Sequence, residues 1–428
     1  MTNPIVVAAR GKGFIPMLIR GGVIASRYGF TPEKIEVSFK ALVDTIRTFN
    51  VPVTIPVTAS ALAANPSAVN RYAVERLEWA IHGLHHLDYS LMTLAHQVQH
   101  LVQARAIFDH LGVKVSGFRC PYLRWNTDTL TALNQTGFRY DSSHAIAWDL
   151  VGGKSTVSYR RALDFYRAQP LTDFPALPSW ADQLVRIPYA LPDDEALVDR
   201  FRITDSEAMA EIWLAMLDRA YQLEELFTLG LHPERAILCQ PALDAVLKMA
   251  SSLSPPVWVT RLDEIAEWFR SLGETVFELR QDGDHLFHIK ISAPIRATVL
   301  ARNVEVKAET IPWTAGYQEV LANEFDFRSE KRPIIGLAPG SPASLQRFLR
   351  HLGYLAETSA DSGAYHFYLD TPTFSPEKER PLLTKLGNSP HPLLRISRWP
   401  SSARCCLAIT GDLDAFAIWD YGRRILAS

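Results

Sequence analysis

The 428-residue chain has few of the features that would tie it to a particular surface or compartment. Its 44 basic and 46 acidic residues nearly cancel, so no field of one sign draws it to nucleic acid or to an anionic membrane. Four cysteines, Cys120, Cys239, Cys405 and Cys406, form no CxxC pair and fall far short of a disulfide scaffold, so reduced core thiols are expected. No run of about twenty apolar residues occurs, and Met1 to Arg10 lacks an apolar stretch followed by small residues. Those two absences set the expectation of a cytoplasmic protein with no membrane partner. What remains is ordinary globular composition, 47% hydrophobic and 21% charged, in a chain long enough for two domains. A neutral small molecule or glycan suits it as partner, and a homo-oligomer is compatible with it.

From Thr31 to about Arg270, short apolar runs alternate with longer amphipathic ones, as strand-helix units do. Helices are expected at Pro32 to Phe49, Ser67 to Leu77, Met92 to Leu111, Thr127 to Thr136 and Ser206 to Ala220. Between them run strands at Val51 to Thr58, Glu78 to Ile81, Val115 to Phe118, Phe138 to Tyr140 and Leu226 to Leu231. Such a succession implies a parallel sheet or barrel with its chemistry in loops after strand C-termini. Beyond residue 274 the pattern changes. Thr275 to Thr310 reads as antiparallel β with a turn at Asp282-Gly283-Asp284. Pro333 to Asp370 reads as a strand-helix-strand unit whose helix is capped at Ser341, Thr371 to Pro392 as a surface linker, and Cys405 to Thr410 as one more strand. Trp313, Tyr317 and Phe325 read as core rather than as a substrate groove.

Three of the expected strands end in loops with chemical potential. His82 and His86 are four residues apart, so both imidazoles can face one side of a turn and share an ion at about 2.0–2.1 Å. Arg119 closes the second strand ahead of Cys120-Pro121-Tyr122, where its guanidinium can brace a carboxylate bidentately. His232 closes the third, placed to act as a general acid. Near the other end, Asp412 and Asp414 alternate around Leu413 after an apolar strand and can enter one pocket, with helix capping as the plain alternative. Two imidazoles and one carboxylate make the protein ligand set of a catalytic zinc with an open position. That combination points to a hydrolase.

Together these residues resemble carbohydrate esterase family 4, the metal-dependent polysaccharide deacetylases. His82 and His86 match the family's His-x-x-x-His pair, Arg119, Pro121 and Tyr122 its Arg-x-Pro-Tyr loop, Leu231 and His232 its late Leu-x-His strand end, and Asp412-Leu413-Asp414 its acidic strand end. In the family the acidic strand comes first, whereas here it is nearly last. The resemblance therefore implies a circularly permuted, deformed (β/α) barrel with a second, smaller α+β domain. Its parts would be residues 1–274 for most of the barrel, 275–392 as an accessory domain or bridge, and 393–428 as the segment returning the acidic strand. It further implies that Asp414, His82 and His86 hold a divalent ion, zinc first among candidates. Asp412 would be the base toward the attacking water, Arg119 its orienting partner, the Tyr122 N–H an oxyanion donor and His232 the acid toward the leaving amine. The reaction implied is removal of an acetyl group from an N-acetylated sugar or glycan precursor. A hydrolase of non-sugar cyclic or linear amides and a non-catalytic glycan-binding module are the alternatives. For the family's acidic and tryptophan-containing loop, Asp141, Trp148 and Asp149 are the candidates.

Overall fold

The computed structural model describes residues 28–72, 76–149 and 155–420. Met1 to Arg10 therefore lies outside the described residues, as does part of the expected Ser67 to Leu77 helix. Among the described residues no helix is long and apolar enough to cross a membrane, and all four cysteines are free and buried.

The protein is a mixed α/β structure built on a nine-stranded curled sheet, a deformed half-barrel. Across the sheet the strands run Leu226–Gly230, Cys405–Thr410, Val53–Val57, Leu77–Ile81, Gly117–Phe118, Tyr140–Asp141, Leu184–Arg186 and Ser179–Ala181, with Val257–Val259 also paired to Cys405–Thr410. All neighbours are parallel except the final hairpin of Leu184–Arg186 with Ser179–Ala181. The strand latest in sequence thus lies between two much earlier ones. Its run Cys405-Cys406-Leu407-Ala408-Ile409 is unbroken apolar because both faces are covered. Cys405, Leu407 and Ile409 join a core with Phe39, Trp213 and Phe227. Cys406 and Ala408 face the other way, into a core that extends through Leu226 to Trp268, Phe287 and Phe327.

Most expected helices occur with ends shifted by no more than three residues: Glu33–Thr48, Leu94–His110, Thr127–Gln135 and Ser206–Leu223. The expected helix from Ser67 is only Ser67–Arg71, and Leu77 already belongs to the next strand. After residue 274 the hairpin Val276–Gly283 with Leu286–Ser292 leads into two four-stranded antiparallel sheets and a three-stranded parallel one. Tyr317 and Phe325 are buried, as expected of core residues. Two expectations fail here. Ser341 does not cap the following helix; Pro342 holds the N-cap with extended backbone, and the Ser341 hydroxyl donates to Leu369 O instead. Nor is 371–392 a plain linker, because it contains the helix Glu379–Asn388. That helix buries Leu383 and Leu386, three residues apart on one face, and ties Arg380 to the buried Glu225 of the barrel.

Candidate metal centre and active site

Strand register carries the distant residues to one rim. Val57 pairs with Ile81, and the His82 N–H donates to Val57 O at 2.9 Å, so the histidine loop begins where both strands end. On the other side of Val53–Val57, Thr54 pairs with Thr410, and Leu413 N donates to Pro56 O at 2.8 Å. Asp412 and Asp414 therefore emerge beside the histidines. Gly83 permits the turn: its φ is +82°, and a Cβ there would lie 2.9 Å from His85 O.

His82 Nε2 lies 3.5 Å and His86 Nε2 3.3 Å from the same oxygen, Asp414 Oδ1. The three ligand atoms fall within 4.8 Å of one another. His82 Nδ1 lies 2.9 Å from Arg119 O; bonding as donor to that carbonyl leaves the Nε2 lone pair for an ion. Burial lowers the His82 pKa against the pull of Asp412 and Asp414, so the neutral imidazole that a metal needs is the favoured form. This donor set fits a divalent metal ion. His85 turns away, its ring 6.2 Å from that of His100.

Arg119 is 1% exposed and spends its donors deliberately. Nη1 reaches Asp412 Oδ1 at 2.5 Å and Thr410 Oγ1 at 3.0 Å, Nε reaches Ser142 O, and Nη2 reaches Ser142 Oγ. The expected two-pronged grip on the carboxylate is therefore a single-pronged one, because the other edge of the guanidinium is used by Ser142. Below it the Tyr189 ring supports the cation at 4.6 Å. Tyr122 takes a left-handed backbone, φ +59°, and its ring packs edge-on against His86 at 4.3 Å.

His232 follows the strand Leu226–Gly230, and the preceding Leu231 N donates to Thr410 O at 2.8 Å, which sets His232 across from Gly411-Asp412. Its partner was not among the sequence candidates. Asp194, fully buried, takes the His232 N–H at 2.8 Å and lies 2.7 Å from Nδ1. Burial opposes a charged His232, but the Asp194 carboxylate outweighs it and holds the pKa well above the usual value. Arg235, 3.6 Å from Asp194, adds to the same network. The three earlier candidates serve elsewhere: Asp141 accepts from Ser143 and faces Arg186, Trp148 is 1% exposed in the core, and Asp149 is exposed. A signal for Asp194 did exist: the acidic run Asp193-Asp194-Glu195 follows the apolar Tyr189-Ala190-Leu191 after a single proline.

With this geometry in view, residues 31–140 match the family model described as polysaccharide deacetylase. That segment is similar to the polysaccharide deacetylase family. It holds His82, His86, Arg119 and Tyr122, while Asp194, His232, Asp412 and Asp414 come from outside the matched deacetylase residues. No curated protein matches the chain. Among solved structures, a protein of Pseudomonas aeruginosa PAO1 described as a probable polysaccharide deacetylase is similar at 22% identity, over 54% of this chain and 73% of that one, with a TM-score of 0.43. The allantoinase PuuE is similar at 21% identity, over 55% and 72%, TM-score 0.43. A family 4 carbohydrate esterase of Streptomyces lividans is similar at 14% identity, over 35% and 72%, TM-score 0.24.

Proposed function

We propose that the protein is a metal-dependent hydrolase that removes an acetyl group from an N-acetylated sugar or glycan precursor. One observation carries the reading: two imidazoles and a carboxylate, drawn from opposite ends of the chain, converge within 4.8 Å beside a buried arginine-aspartate pair and an aspartate-held histidine. The deacetylase match over residues 31–140 supports the acyl group. His82, His86 and Asp414 would hold the ion, zinc by ligand type, which when bound polarises the acyl carbonyl and eases ionisation of water. Asp412 accepts the proton of the attacking water, with Arg119 fixing the direction of its carboxylate. The Tyr122 N–H, turned by its left-handed backbone, donates to the oxygen that becomes negative as the carbonyl carbon turns tetrahedral. As the C–N bond breaks, His232 gives its Nε2 proton to the departing amine, its Nδ1 held by Asp194. Acetate and a free amino sugar leave. The sheet order supports a circular permutation, with residues 275–392 bridging from barrel to returning strand. A cytoplasmic setting would favour a soluble precursor over a wall polymer.

The test is zinc per chain by elemental analysis, with acetate release from an N-acetylated sugar panel and a cyclic amide panel. About one ion per chain is expected in wild type, with loss of both ion and acetate release in Asp414→Ala. His232→Ala should retain the ion and lose about 10²- to 10⁴-fold in kcat. Equal metal in wild type and Asp414→Ala would remove the centre, and turnover of cyclic amides alone would replace the substrate class.

A further inference from the structure

A cleft of about 610 Å³ opens where the hairpin of Ser179–Ala181 and Leu184–Arg186 meets the helix Ala343–His351 and residues 374–379. Its size lies in the range of about 300–1,000 Å³ common to small-molecule sites. Of the lining residues only Trp125 and Leu130 fall within the residues matched to the deacetylase family.

The cleft is cationic and aromatic. Arg167, Arg186 and Arg347 line it, against Glu379 as the sole carboxylate among the described lining residues. Burial pushes Glu379 up to about 7, so even that charge is incomplete at neutral pH. Arg167 and Arg347 lie on exposed parts of opposite walls and make no ion pair among the described residues. Arg186 is different: its guanidinium lies 3.8 Å over the Trp125 ring, and Nε sits 3.5 Å from Asp141 Oδ2. Its Nη2 is buried with no hydrogen-bond partner among the described residues, and so is Trp180 Nε1. Unpaired buried donors cost free energy unless something accepts from them. The spare Nη2 donor of a flat guanidinium suits a carboxylate oxygen, and the spare indole N–H of Trp180 suits a sugar hydroxyl.

Two of the cleft's lining residues are close in sequence to residues at the reaction centre. Trp125 is three residues past Tyr122, which the extended chain spans in about 10 Å. Arg167 follows two residues after Phe165, whose ring lies 6.2 Å from that of Tyr122.

We propose that this cleft recognises an acidic sugar, a pyranose bearing a carboxylate, within the glycan that is deacetylated at the metal centre. The link to deacetylation rests on the function proposed above; the preference for a carboxylated sugar rests on the cleft alone.

The experiment titrates the full-length, metal-loaded protein with a glucuronate-containing disaccharide, its neutral glucose counterpart and inorganic phosphate, by calorimetry and tryptophan fluorescence. The acidic disaccharide should bind at least about tenfold more tightly than the neutral one, the weight of one charge-assisted hydrogen bond. Arg347→Ala and Arg167→Ala, both exposed and expected to unfold as wild type does, should each lose about tenfold in that affinity. Equal binding of the neutral disaccharide, equal binding of phosphate, or unchanged affinity in both variants would overturn the proposal. Acetate release is measured on the same preparation. Uronate binding without hydrolysis of any N-acetylated sugar would refute the hydrolase and keep the cleft as a carboxylate-sugar site. Hydrolysis without uronate binding would do the reverse.

Discussion

Asp194 decides the charge of His232. Because its carboxylate holds the imidazolium form well above the ordinary histidine range, His232 enters neutral pH as an acid able to give up a proton. An acid must be protonated to act, so activity is lost as pH rises through that raised value. Asp194→Asn removes the charge that raises it, leaving burial, which lowers it. The basic limb of the kcat/KM profile should therefore move to lower pH, with metal content unchanged; a limb that stays in place would separate Asp194 from proton transfer. At this scale the sequence is most readable where chemistry is written in spacing. His82 and His86 stand four apart, and Asp412 and Asp414 flank one apolar residue. Asp194 was harder to see because it lies 38 residues before His232, in a segment of short strands without periodicity, and only the fold brings the two together.

The strands Tyr189–Leu191 and Leu226–Gly230 show how an element without ligands controls the site. A Cβ on Gly230 would fall 1.8 Å from the Tyr189 hydroxyl. That ring cannot simply swing aside, since its hydroxyl donates to Asp193 at 2.8 Å while its face carries the Arg119 guanidinium. Gly230→Ala should cost roughly 1–3 kcal/mol of stability by overpacking, visible in urea unfolding. It should also lower kcat by displacing Arg119 from Asp412. Long amphipathic helices were legible because their apolar residues recur with the helical period. The two-residue strands Gly117–Phe118 and Tyr140–Asp141 leave too little pattern to bound. The helix Glu379–Asn388 hid behind its Pro-, Ser- and Lys-rich flanks, because its packing depends on partners in the barrel.

Across the whole molecule, buried polar contacts join the barrel to residues 275–392. Arg380 grips Glu225 with both Nη atoms, and Glu225 is 1% exposed. Arg380→Ala leaves that carboxylate buried and unpaired, a loss of about 3–5 kcal/mol to be read from the thermal midpoint; Glu225→Gln added to it should recover much of the loss. Inside the barrel, Glu78 accepts from Thr54 Oγ1, Tyr140 OH and Asp263 N. Burial, with the Asp263 charge adding to it, pushes Glu78 up to about 8 from an ordinary 4.5. The folded form thus holds a proton that the unfolded chain releases, so stability should fall as pH rises from about 4.5 toward about 8. Unfolding free energies from urea titrations at pH 5 and pH 8 should differ in wild type by roughly 1–3 kcal/mol and much less in Glu78→Gln.

The sheet order has a temporal consequence. On the ribosome, all three strands that pair with Cys405–Thr410 are made long before it, and Arg119 emerges 293 residues ahead of Asp412. Until then the nascent chain holds two unpaired strand edges and a buried arginine without its carboxylate, a state that invites chaperone binding and aggregation. Ligand geometry is completed only when the returning strand zips between its neighbours. The proposed ligands His82, His86 and Asp414 therefore cannot come together piecemeal during synthesis, and the site should be completed as a single late event, once the returning strand has been made.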